Sequence, residues 1–236
     1  MASNTPLPPL QAPGRTPANS TQINLSRPQP GTISLEAVLT PDSGQSASVR
    51  WRANRMPLVV YMEPLPESSS ATYTASDANA LLEEALKAWQ NASITPHLNP
   101  ASAGIGFRRL FQPPEDNSKP DILFRWVSET VLGRTYETGH ARRELETPVT
   151  SSSGFMTHVE ITLVDCPVID AHLSSQQRLL RLQATLLHEI GHALGLEHAL
   201  AKTDVMYYQG WRNTILSPGD IAALQALYAP RANRLA

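Results

Sequence analysis

An α+β domain is the fold class to which this sequence points, and three observations carry it. Strand-like segments rich in β-branched and aromatic residues run from 57 to 165, with one amphipathic helix among them. A long helical stretch follows and holds three of the seven histidines. A short, well-capped helix then closes the chain.

Residues 1–49 stand apart as a Pro/Ser-rich N-terminal segment, and 50–236 read as one folded domain. Seven of the 20 prolines occur by residue 30. The first thirty residues carry few apolar groups to offset ordering entropy and are expected to be extended or disordered. "TISLEAVL", 32–39, is a candidate short element against the main body. "PLVVYME", 57–63, reads as the first strand of the domain. The next helix places Leu81, Leu82, Ala85, Leu86 and Trp89 on one face, with Ser76 as N-cap. "IGFRRLFQ" (105–112), "DILFRWVS" (121–128) and "HVEITLVD" (158–165) are further strands, and 133–154 reads as polar and irregular. "SSQQRLLRLQATLLHEIGHALG" is a long helix capped by Ser174 or Ser175 and stopped at Gly195. The last helix has Ser217 as N-cap, Pro218 at its first position and Asp220 three residues after the cap.

Composition narrows the function classes. A hydrophobic share of 41% supports a sizeable core, and a formal charge of −2 from 19 basic and 21 acidic residues gives no field for nucleic acid or anionic lipid. The pairs Arg108-Arg109 and Arg142-Arg143 read as short solvated faces. No apolar run is long enough to cross a bilayer, and the N-terminus lacks the apolar core of a signal peptide. One cysteine, Cys166, allows neither an internal disulfide nor a thiolate metal cluster.

The chemistry lies in "LLHEIGHALGLEHAL", 186–200. On a helix His188 and His192 are ~40° apart and one turn along, so both imidazoles can reach one ion. Glu189 lies beside His188, placed to reach a water on that ion without being a ligand. His198 would be ~15 Å from His188 if the helix continued, so the helix must break between His192 and His198. Gly195 can adopt the left-handed conformation that ends a helix and turns the chain back. No Glu follows Glu197, so a downstream glutamate is excluded as third ligand, while Asp204 stands as the alternative to His198. Three neutral imidazoles with an open fourth position describe one catalytic Zn²⁺. Such an ion lowers the pKa of water, and Glu189 would serve as general base for hydrolysis of a peptide bond.

The pattern H-E-x-x-H-x-x-G-x-x-H with a later methionine resembles the metzincin zinc proteases. "DVMYY", 204–208, matches their Met-turn, with Met206 as an apolar floor; plain core packing is the competing account. "MPLVVYMEP", "LEEALKAWQNAS" and "LSPGDIAALQALY" are similar to segments of the matrixins, the matrix metalloproteinase catalytic domains. The resemblance implies a twisted, mainly parallel five-stranded sheet with a backing helix and an active-site helix, above a small C-terminal subdomain with one helix. It also implies protein or peptide substrates laid along an edge segment, for which "VLGRTYE", 131–137, is the candidate. A secreted or exported monomer is expected on the same ground.

Departures from the family are informative. Ala199 stands where Ser is usual, and Cys166 lies inside the domain rather than in a latency motif. No recognisable loop holds a second Zn²⁺ or Ca²⁺, so His140, His158 and His172 read as structural or surface residues. Tyr208 stands where matrixins usually have proline. In the astacin and serralysin branches a tyrosine there binds zinc or stabilises the oxyanion; a pocket wall is the alternative. Residues 1–49 precede the domain where relatives carry a latency segment. Its side-chain carboxylates, Glu36 and Asp42, are candidates to cap the metal in an inactive precursor, against a plain linker. Two other functions compete with the endopeptidase: a zinc-binding protein without turnover, and a hydrolase of non-peptide bonds.

Overall fold

The computed structural model describes residues 48–67, 69, 71–94, 104–116, 118–128, 138–146, 153–165, 170–209 and 212–229. The candidate element at 32–39, the edge segment 131–137, Cys166, Glu36 and Asp42 lie outside the described residues. Among the described residues six strands form one sheet: β1 (Ser48–Arg50), β2 (Leu58–Met62), β3 (Phe107–Leu110), β4 (Ile122–Val127), β5 (Gly139–Leu145) and β6 (Ser153–Val164). The helices are α1 (Ala75–Ser93), α2 (Ser175–Ala193) and α3 (Pro218–Tyr228).

The strand order is β1-β6-β4-β2-β3, parallel throughout, and β5 pairs antiparallel with β6. The four strands expected from the residues are present as β2, β3, β4 and β6, β5 completes the five that the resemblance implies, and β1 adds a sixth through a three-residue pairing of Ser48–Arg50 with Ser153, Gly154 and Phe155. Alternation sets which face is covered. Leu58, Val60 and Met62, then Ile122, Phe124 and Trp126, are buried on alternate positions, as a half-covered sheet requires. Helix α1 packs against α2 and α3, and α2 against β5. Trp89 ties the first two together: its ring is fully buried and its indole N–H donates to the Leu187 carbonyl at 2.9 Å.

Two sequence expectations are corrected. The N-cap of α1 is Thr74 rather than Ser76, because Asp77 at its third position completes a reciprocal capping box with Thr74. The stretch 133–154 is not wholly irregular: it contains β5. That strand, "GHARREL", hides because its charged residues break the apolar alternation, and one of them, Arg143, is buried.

The chain enters the domain against the far end of α2. Trp51 is 1% exposed, and its indole N–H donates to the Ala193 carbonyl at 2.7 Å. Arg50 donates to the Leu227 carbonyl, and the Trp51 amide donates to the Tyr228 hydroxyl.

Candidate metal centre

Helix α2 starts at Ser174, whose side chain forms a capping box with Gln177. Its buried face carries Leu182, Leu186, Leu187 and Ile190 into the core. This packing turns the opposite side of the last two turns, with His188 and His192, outward. The helix ends at Gly195, whose φ is +102°. A Cβ there would drive into the Val49 carbonyl oxygen, so glycine is required for both conformation and space. The Leu196 amide then bonds back to the Gly191 carbonyl, and the reversed chain returns His198 to the helix.

The three imidazoles converge. His192 Nε2 lies 3.1 Å from His188 Nε2 and 3.3 Å from His198 Nε2. Two nitrogens about 2.0–2.1 Å from one tetrahedral ion are roughly 3.3 Å apart, so both spacings fit zinc, and the three ligand atoms all lie within 4.8 Å of one another. The opposite ring nitrogens are held by backbone: His188 Nδ1 donates to the Val205 carbonyl at 2.7 Å, and His192 Nδ1 to the Leu196 carbonyl at 2.9 Å. These bonds put the proton on Nδ1 and leave the Nε2 lone pairs facing one another, which a cation at their centre would relieve.

All three are held below the ordinary histidine value of 6.5, chiefly by burial. His192 is lowered most, with the neighbouring charges of His188 and Arg143 adding to desolvation. Neutral imidazole is the ligand form. Asp204, the alternative third ligand, accepts from the Ser217 hydroxyl at 2.7 Å and is not part of this group. Among the described residues the three histidines are the one set of three or more potential ligands close enough to share an ion. His140 sits in β5, His158 bonds the Pro120 carbonyl, and His172 is exposed.

Glu189 is 5% exposed, and its side chain packs over Gly139, the first residue of β5. A Cβ at 139 would approach Glu189 Cγ to 2.9 Å and Thr185 Cγ2 to 2.7 Å, so the bare backbone makes room for the carboxyl. Met206 is buried, with its sulfur against Gly191, between the two helical histidines. The turn that carries it is fastened by Asp220, whose carboxylate accepts from the amides of Val205 (2.8 Å) and Met206 (3.1 Å). Asp220 also completes the capping box of α3, and its bonds to the turn leave no local signal in the sequence. Arg143, expected on a solvated face, is 6% exposed and lies behind the histidines. Tyr208 is 61% exposed, and its ring lies against that of Tyr207 with centroids 4.6 Å apart.

A helix bearing two histidines, a glycine break that returns a third, and a buried methionine beneath them form a candidate metal centre of the metzincin type on a mainly parallel sheet. The Matrixin family model matches residues 65–229, and the chain belongs to the matrixin family. It is similar to matrilysin of Felis catus, with 37% identity over 73 residues, 26% of this chain and 28% of matrilysin. The match thus spans little more than a quarter of that relative's length.

Proposed function

We propose that the chain is a zinc-dependent endopeptidase, with His188, His192 and His198 as ligands and Glu189 as general base. The observation that carries this reading is the convergence of three Nε2 atoms, 3.1 and 3.3 Å apart, beside a buried carboxyl on the same helix. Zinc bound there supplies Lewis acidity to a scissile carbonyl and acidifies water. Glu189 takes the proton of the attacking water and returns it to the leaving amine. Tyr208 donates a hydrogen bond to the charge that develops on the carbonyl oxygen. An extended protein or peptide substrate pairs with the segment leading into β5, which among the described strands pairs with β6 alone. Glu189 argues against a zinc-binding protein without turnover, since such a protein has no use for a base.

As part of the same proposal the protein acts as a secreted or exported monomer, with residues 1–49 either a latency segment in which Asp42 or Glu36 caps the metal or a plain linker. Among the described residues no helix is long and apolar enough to cross a membrane.

The test is peptide cleavage by the form beginning at Val49, measured alongside zinc content. Alanine at His188, His192 or His198 should remove metal and activity together, while Glu189→Ala should retain zinc and lose turnover. A Glu189→Ala variant cleaving at the parental rate would overturn the mechanism. Tyr208→Phe should lower kcat by about 10-fold or more with little change in KM. Unchanged kcat assigns Tyr208 to the pocket wall.

A further inference from the structure

The antiparallel strand β5 delivers one guanidinium to the back of the histidine cluster. Arg143 is 6% exposed. Its Nε donates to the His192 carbonyl at 2.8 Å, its Nη2 to the Leu196 carbonyl at 2.8 Å, and its Nη1 to Glu197 Oε1 at 2.6 Å. Nη2 also lies 3.4 Å from His192 Nδ1.

These contacts fall on both sides of the Gly195 reversal. The His192 carbonyl belongs to the last turn of α2, where carbonyls run out of helical partners and a positive charge complements the helix dipole. Leu196 and Glu197 belong to the returning strand that immediately precedes His198. The Leu196 carbonyl is shared: it accepts from Arg143 and also from His192 Nδ1, the bond that aims the His192 ring. The acceptor that orients one histidine is therefore itself held by Arg143.

We propose that Arg143 is a positioning residue of the metal centre, whose fork sets the Gly195 turn so that His192 and His198 meet one ion. Its role rests on the three histidines being the ligands. A lysine in its place keeps the charge but cannot serve the three acceptors from one rigid fork. Retention of the metal should therefore depend on the fork and not on the charge alone.

The test follows zinc release from the full chain into excess chelator, with the d–d spectrum of the cobalt-loaded protein as second readout. Arg143→Lys and Arg143→Met should release zinc ~10–100-fold faster than the parent, the usual cost of losing a group that orients a ligand. Their cobalt bands should shift, a signature that loss of stability alone would not produce. Arg142→Met, at the exposed neighbour, should match the parent. Parental release and spectrum in Arg143→Lys would overturn the inference. Should the Arg143 variants fail to fold, Glu197→Ala removes one arm from its solvent side. It should speed release several-fold, and a parental rate would overturn the inference equally. A parent that holds no zinc would overturn the ligand assignment and this inference with it; a parent that holds zinc while its variants hold it as well sinks the inference alone.

Discussion

At the residue scale the histidines couple the metal centre to pH. Burial holds His188, His192 and His198 below 6.5 in the folded chain, whereas the unfolded chain regains the ordinary value. Below about 6.5 the unfolded state therefore binds more protons than the metal-free fold, and stability falls as pH falls. Above that value both states are neutral and the effect vanishes. Urea midpoints of the chelated protein should be flat from pH 8 to 7 and decline from about 6.5 to 5. Replacing His192 by Asn should reduce that slope, and an equal slope in the variant would contradict the assignment. The residues of the cluster were legible from spacing alone, because a metal demands particular atoms at particular offsets. Arg143 was not, since an arginine that bonds carbonyls 49 to 53 positions away leaves no local pattern.

At the element scale the reversal at Gly195 is the most constrained point. Its φ of +102° and the Val49 carbonyl against its α-carbon exclude any side chain. Gly195→Ala should cost about 1–3 kcal/mol from backbone strain, with displacement of β1 added. Thermal unfolding and zinc content should fall together, and unchanged zinc retention would show that β1 yields instead. Helix ends were readable because caps are local chemistry: Gly195 and Ser217 stand where the sequence puts them, and of the two candidates for α2 the cap is Ser174. The start of α1 moved to Thr74 because two neighbouring residues can both cap and only the reciprocal partner, Asp77, decides. Strand β5 escaped because its inward positions are set by tertiary pairing with β6, not by apolar alternation.

At the scale of the whole molecule the Trp51 anchor supports the C-terminal end of the histidine-bearing helix. A chain beginning at Val49 keeps the Trp51 anchor, and one beginning at Arg52 loses it. Removing so large a buried ring should cost ~3–5 kcal/mol. The shorter form should unfold at lower temperature and release zinc faster, and equal midpoints for the two would show that Trp51 contributes nothing. Latency is a separate comparison: the full chain should be inactive until the segment is removed, and equal activity of the full chain and the Val49 form would exclude it. The fold class and mainly parallel sheet were legible, while β1 was not, because three residues carry too little pattern to announce a strand. The histidines themselves lie within eleven positions, yet the bonds that aim and support them reach 17 residues ahead and 49 and 142 residues back. Loop closure on that scale is paid before such contacts form. The cluster is therefore a property of the closed domain: its aiming bonds exist only where parts of the chain far apart in sequence have already been brought together.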